Sequence, residues 1–302
     1  MKRNVLDTFP LSVVITTLGG DALIQTLSVM NAWPVIPAEI LVCVPETQSN
    51  YALKFDAKNI KLVPTPKRGQ VQQRAYGLAR ASQPYVMQLD DDVILDYVSL
   101  KSLLEELIRL GPGNVVSPLG WRYLSNGQYM EVSKSGVRAW FQDLYLYLVC
   151  GPPLGDKRMG KLSRAGIGFW IDKAKISVDA YETELLPGGC ALCHKEDLVL
   201  ENYYPYDGKA YCEDLMHSII WRERGKRLWA ILNAEATTHV ELGRQSYGEI
   251  VSNYRAHRHV VNLMKGSQLR LAVWFFVMVV KGYARDKFLQ VISLVRAKQV
   301  DR

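Results

Sequence analysis

Three consecutive carboxylates, Asp90, Asp91 and Asp92, follow directly on the apolar run Tyr85-Val-Met-Gln-Leu89. Adjacent carboxylates repel one another, so a fold tolerates them best when a cation compensates. Their oxygens suit hard cations such as Mg²⁺ or Mn²⁺, which take one or two carboxylates and fill the remaining positions with water and substrate phosphates. A solvated turn with a helix-capping Asp would have the same composition, but the place of the run, at the carboxyl end of a hydrophobic strand, favours the metal. Just upstream lies Lys67-Arg68-Gly69-Gln70-Val-Gln-Gln73-Arg74. Gly69 lets the backbone turn closely at a helix start, where backbone N–H groups attract phosphate. Arg74, one turn further in, could reach an anion. A diphosphate needs both a cation and basic donors, and this stretch of chain offers both.

Glu213-Asp214 opens a helical pattern after Asp207-Gly208. Acids at a helix start are stabilised by the helix dipole with no chemistry implied. Equally, a carboxylate placed there can take the proton of an attacking hydroxyl. His239, after Thr237-Thr238, is either a hydrogen-bonded loop residue or a third metal ligand, since neutral imidazole coordinates readily. His257 and His259 flank Arg258 and read as surface residues. The cysteines (Cys43, Cys150, Cys190, Cys193, Cys212) show no framework spacing. Cys190 and Cys193 form a CxxC beside His194, but no second CxxC answers it, and small buried thiols in a reducing compartment are the simpler reading.

The elements that must hold these groups alternate. Leu11 to Thr17, Glu39 to Val44, Ile60 to Val63, Tyr85 to Leu89 and Asn114 to Ser117 read as strands. Asp21 to Ala32, Gln70 to Ala81 and the Leu100/Leu103/Leu104/Leu107 stripe read as helices. This order predicts an α/β fold with a mostly parallel sheet covered on both faces. Ligands of such sheets bind beyond the carboxyl ends of the strands. Thr16, Thr17, Glu46 and Asp90 to Asp92 all fall at that edge. The aromatic-rich stretch from Leu119 to Glu184 gives no assignable elements and reads as the substrate-facing half. Further on, Glu213 to Arg224 is a predicted helix and Arg227 to Leu232 a predicted strand.

The ordered set resembles the family 2 glycosyltransferases, inverting enzymes with a GT-A fold. Its parts are the first strand ending in Thr16-Thr17, the Gly69 to Arg74 segment with Gly77-Leu78, Leu89-Asp-Asp-Asp92, Gly188-Gly189, and Glu213-Asp214. The resemblance spans Leu11 to Val240. It implies transfer of a sugar from a nucleoside-diphosphate sugar, a UDP-sugar foremost, to an acceptor hydroxyl, with Mn²⁺ or Mg²⁺ as cofactor. It gives Asp92 to the metal, Asp90 to the sugar nucleotide, Asp214 the role of base, and His239 a place in the metal shell. Thr16, Thr17, Gly69, Gln70, Arg74 and Asp91 are then expected around the donor. Many members carry acids after the second strand that hold base or ribose. Here that place reads Val44-Pro45-Glu46, which makes Glu46 the substitute. A saccharide or lipid-linked saccharide acceptor, in cell-surface polysaccharide or glycolipid synthesis, is the expected setting.

Charge divides the chain. From Arg244 onward there are 11 Lys/Arg against 3 Asp/Glu, although the whole chain of 302 residues carries a formal net charge of only +7. The expected organisation is a transferase domain over 1–243, with a nucleotide-sugar half (1–118) and an acceptor-facing half (119–243). A basic helical extension follows over 244–302. Leu271 to Val280 is apolar but too short to span a bilayer. Phe288, Val291, Ile292 and Val295 share one helical face, so the extension predicts contact with an anionic membrane surface. The N-terminus lacks the pattern of a signal peptide. The expected location is the cytoplasm, with a peripheral position on the inner face of the membrane where the extension makes that contact. Two rival functions stand beside this one. A sugar nucleotidyltransferase would carry basic residues in the loop after the first strand, where Thr16-Thr17-Leu18-Gly19-Gly20 has none. A non-catalytic binder acting through the basic tail leaves the strand-end acids unexplained. The tail's aromatics cluster in an apolar run rather than among its Lys and Arg, which argues against nucleic acid.

Overall fold

The computed structural model describes residues 8–48, 57–124, 128, 136–239 and 246–282. The first strand, β1 (Thr8–Thr16), pairs in parallel with β2 (Ile36–Pro45) on one side and β4 (Tyr85–Asp90) on the other; β3 (Ile60–Thr65) extends the sheet beyond β2. The helices α1 (Asp21–Asn31) and α2 (Gln70–Leu78) link these strands, with α3 (Tyr97–Leu110) after β4. Residues 93–95 form the short β5 between β4 and α3.

The second half reverses the sheet's sense. β8 (Cys190–His194) lies antiparallel between β4 and β6 (Asn114–Tyr123), and β9 (Arg227–Thr238) runs parallel to β6. The full order is β3-β2-β1-β4-β8-β6-β9-β5, with β7 (Ala180–Thr183) pairing along the first part of β9. The fold is thus α/β with a largely parallel sheet flanked by helices, as the alternating pattern predicts. β9 runs six residues past the predicted end at Leu232, alternating Ala234 and Ala236 inward with Asn233, Glu235 and Thr237 outward.

Side-chain alternation sorts the core. Leu11, Val13 and Ile15 of β1 and Cys190 and Leu192 of β8 face α1 and α3, whose Leu23, Leu27, Leu100, Leu103 and Leu107 are fully buried. Val14 and Cys43 face α2 instead, while Ala191 and Cys193 face Trp221 of α5 (Glu213–Glu223). Each fully buried Leu of this kind contributes about 1.5–3 kcal/mol. The helix α2 sits directly on the strands. A Cβ at Gly77 would lie 2.6 Å from Val14 Cγ1 and collide with Cys43 Sγ, so only glycine allows this approach.

The elements missed by periodicity are α4 (Val137–Cys150), β8 and the short strands β5 and β7. Residues 268–282 form a helix, here α7, after α6 (Tyr247–Leu263). Leu271 and Phe275 of α7 are buried against Val261 and Tyr254 of α6. The predicted amphipathic face from Phe288 to Val295 lies outside the described residues. No helix among the described residues is long and apolar enough to cross a membrane. All five cysteines are free thiols. Cys190 and Cys193 point to opposite faces of β8, so the CxxC does not converge on a metal.

Candidate active site

Parallel pairing brings the first strand end and the acid run together. Thr16 is in register with Asp90 across β1 and β4. Thr17 Oγ1 donates a 2.5 Å hydrogen bond to Asp91 Oδ2, and Gly19 N–H donates to Thr17 Oγ1. Thr26 of α1 donates to the Asp91 carbonyl, which pins the turn from the other side. From the reversed half, Gly189 places its carbonyl 2.9 Å from Asp90 N–H. The turn is therefore held by β1, α1 and the approach to β8 together, and its three side chains project into one cleft of about 870 Å³. Cleft volumes of roughly 300–1,000 Å³ suit small-molecule ligands.

The opposite wall comes from α2 and α5. Gly69, at φ +150°, caps α2 in a conformation that favours glycine, and Gln70 Nε2 donates to Asp90 Oδ1 at 3.2 Å. Gln73, buried, donates to the carbonyls of Thr17 and Cys43 and so ties the ends of β1 and β2 to α2. Arg74 is almost fully buried and bridges two carboxylates: Glu213 at 2.6 Å and Asp90 at 3.1 Å. The sequence suggests that Arg74 reaches a substrate anion. In the fold its charge is committed to two internal acids, Glu213 and Asp90. Tyr203 Oη adds a second donor to Glu213 at 3.0 Å. His217 stacks on Trp221 behind this group, with both ring nitrogens unpartnered.

Glu213 and Asp214 play different parts. Glu213 turns inward to Arg74, and its carboxylate occupies the space a side chain at Gly188 would need. Asp214 lines the cleft, with Oδ1 accepting from Leu215 N–H at 2.9 Å. Cys212, the N-cap of α5, adopts a left-handed φ of 56°, a strained conformation for a non-glycine residue at the residue before this pair.

Burial sets the electrostatics. It pushes the Asp214 carboxyl up to about 7, with the Glu213 charge adding to the shift. Burial likewise lifts Asp90 to about 7, against the pull of Arg74 and with the push of Glu213 and Asp92. Asp91 and Asp92 are raised by burial too, Asp92 further by its neighbour Asp91. The cleft is thus a place where negative charge is under-compensated by the chain itself, and where a cation would relieve it.

The remaining expected residues divide. Thr16 lines the cleft, and its Oγ1 is buried without a hydrogen-bond partner in the chain, as a group awaiting a ligand would be. His239 N–H donates to the Asp92 carbonyl at 3.2 Å. Its place at that corner is fixed by β5 pairing with the end of β9. Even so, among the described residues no three His, Cys, Asp or Glu side chains converge as a complete metal site. Glu46 is exposed in the short turn after β2, on the same sheet edge but outside the cleft lining. Arg68, Asp207 and Lys209 do line the cleft. Of these only Arg68 stands beside a sequence signal, the basic segment before Gly69.

Residues 45–196, half of the chain, match glycosyl transferase family 2. The chain belongs to glycosyl transferase family 2. The match ends before Glu213, so the α5 acids of this transferase rest on the geometry above. Among solved structures the transferase resembles GalNAc-T7, crystallised with UDP, GalNAc and Mn²⁺ (TM-score 0.51, 17% identity, 78% of this chain and 45% of that one). A second similar structure is residues 1–349 of S. aureus TarS in complex with UDP-GlcNAc (TM-score 0.45, 14% identity, 87% of this chain and 68% of that one). The transferase thus spans less than half the length of the GalNAc-T7 chain. The likeness to GalNAc-T7 establishes a fold of the GT-A type. A search of curated proteins returns no match.

Proposed function

We propose that this transferase moves a sugar from a nucleoside-diphosphate sugar, a UDP-sugar in the first instance, to an acceptor hydroxyl in a single inverting displacement. The observation that carries the proposal is the meeting of Asp90 to Asp92 and Asp214 in one cleft whose carboxylates are under-compensated. Thr16 and Thr17 border the end where a nucleoside would lie, and the Gly69 cap of α2 offers backbone donors to phosphate.

Asp92, with Asp91 beside it, has the oxygen donors that suit Mn²⁺ or Mg²⁺. Because no three such side chains converge here among the described residues, the fit is to an ion shared with substrate phosphates and water. Such an ion, when bound, neutralises the charge that builds on the leaving diphosphate. His239, whose backbone N–H meets the Asp92 carbonyl, is the nearest candidate for a further ligand, and its ring would have to turn towards the ion to serve as one. The chain's own part is to orient the donor through Asp90 and to accept a proton. Asp214, lifted to about 7, is poised to take the proton of the acceptor hydroxyl near neutral pH. The Arg74 bridge ties Asp90 to Glu213, the residue before Asp214, and so links the two sides of the cleft.

A saccharide or lipid-linked saccharide is the acceptor class this reading favours, at an anionic membrane surface that the basic region after Arg244 would meet. The reaction is tested by calorimetry with UDP, with and without Mn²⁺ and with excess chelator. Tight binding only with the cation is expected. Binding of equal strength in chelator would refute the metal role, and no binding under any condition would refute the donor class.

A further inference from the structure

We propose that α4 and α7 together form the face by which this protein lies on a lipid bilayer. The inference deepens the membrane part of the reading above and rests on it, but it moves the contact from the chain's end to the body of the fold.

Two helices carry unburied apolar stripes at helical spacing. On α4 these are Val137, Trp140, Phe141, Leu144 and Leu148, of which Trp140 and Phe141 are each 60% exposed. On α7 they are Leu269, Val273, Phe276 and Val280, with Phe276 69% exposed. Positions i, i+3, i+4, i+7 and i+11 fall on one side of a helix, so each set is a continuous face. Both helices already bury another face. Leu271 and Phe275 of α7 pack on α6, and Val149 and Cys150 of α4 pack with Trp274 of α7. The exposed stripes are therefore surplus to the core.

The two helices are tied together. Arg270, at the start of α7, donates to the Leu148 and Val149 carbonyls of α4. Lys281, near its end, sits 3.9 Å over the Tyr145 ring. Large exposed apolar patches in a folded protein mark a docking surface. Charge selects the occupant. Helix α7 carries Arg270 and Lys281 and no acid, and the one acid of α4, Asp143, is paired with Arg158. From Arg244 to the end of the chain basic residues outnumber acids by 11 to 3. Exposed aromatics beside an excess of Lys and Arg are the make-up of a surface that enters the headgroup layer of anionic lipids.

The face is also close to the cleft. His257 of α6 lies 2.7 Å from Cys212, two residues before Asp214, and stacks at 6.0 Å on Trp274 of α7. Seating α4 and α7 on a bilayer holds the cleft one helix layer away from it, within reach of an acceptor carried by a lipid.

The test is flotation of the full-length protein with vesicles of phosphatidylcholine, alone or mixed with phosphatidylglycerol. The wild type is expected to float with the mixed vesicles. Trp140→Ser/Phe141→Ser and, separately, Phe276→Ser/Val280→Ser should each lower the bound fraction about tenfold or more, with unchanged circular dichroism and unchanged UDP binding. Ile292→Asp, in the distal apolar stripe, should reduce it less. A wild type that never floats would sink the membrane reading as a whole. Variants that float like the wild type, or loss of flotation only in Ile292→Asp, would overturn the α4/α7 face alone. Concentration-dependent dimers that disappear in the Trp140 variant would also overturn it, by assigning the face to a second copy.

Discussion

Replacing Arg74 with Met tests the link between the two walls of the cleft. Arg74 is 3% exposed and Glu213 7%, so the change leaves a buried carboxylate without its cation. Removing one partner of a buried ion pair costs about 3–5 kcal/mol. Two features place this case near the lower end. Glu213 keeps the Tyr203 hydroxyl, and Asp90, 24% exposed, keeps Gln70 and some water. A loss of about 3 kcal/mol at neutral pH is therefore expected, and it should shrink at lower pH as the stranded carboxylates take up protons. Urea unfolding at constant slope reads it as a shift of the midpoint. Arg74→Met/Glu213→Gln should be more stable than Arg74→Met alone, because the second change removes the charge the first one strands. A loss below about 1 kcal/mol, or strictly additive effects of the two changes, would show that the bridge is a surface contact of small consequence.

Other outcomes follow from the same geometry. Asp214→Asn should leave UDP binding nearly intact and lower sugar transfer roughly a hundred- to ten-thousandfold, while Asp92→Asn should weaken cation-dependent binding as well; initial rates at saturating donor separate the two. Gly188→Ala should destabilise by about 1–3 kcal/mol and disturb the Arg74–Glu213 pair, because the added methyl meets the Glu213 carboxylate; thermal melts measure it. Asp90 and Asp214 have folded-state values lifted to about 7 from an ordinary 3.8, so the folded form binds more protons than the unfolded one between those values. Stability of the ligand-free protein should consequently fall as pH rises from about 4 to about 7, and Mn²⁺ should flatten that slope; denaturation across the range decides the sign. Glu39 acts in the opposite sense. Burial would raise it, but Lys61, Ser12 and Ser82 hold it at about 2, so its contribution is present above the ordinary carboxylate range and fades only as pH falls towards 2.

What could be read from the chain beforehand divides along physical lines. The parallel half was legible because β1, β2 and β4 are buried on both faces and read as unbroken apolar runs, with helices of clear period between them. The acid run and Glu213-Asp214 were legible because carboxylates at element ends are conspicuous in type. By contrast, α4 was hidden, since its outward face is as apolar as its inward one and no period separates them. The end of β9 was hidden by alanine, which alternates inward there but has little β-propensity. The partner of Arg74 was beyond any local pattern, because Glu213 lies 139 residues away. Thr16 and Gln70 line the cleft as spacing suggested, whereas Glu46 lies outside its lining.

The reversal of the sheet at β8 has a consequence for how the chain comes into being. Synthesis delivers β1 to β4 first, yet β4 gains its second neighbour only when residues 190–194 arrive, and Arg74 finds its cation's main counterpart only at Glu213. Until then the nascent parallel half presents an open strand edge and an arginine aimed into a space meant to be dry. Such an intermediate is prone to pair with other chains. A fragment ending at residue 118 should accordingly be cut quickly by protease or aggregate, and protection should arise only in fragments that extend past α5. Closure of the cleft therefore waits for α5, and a chain interrupted before it would have neither the closed cleft nor the β9 strand that follows.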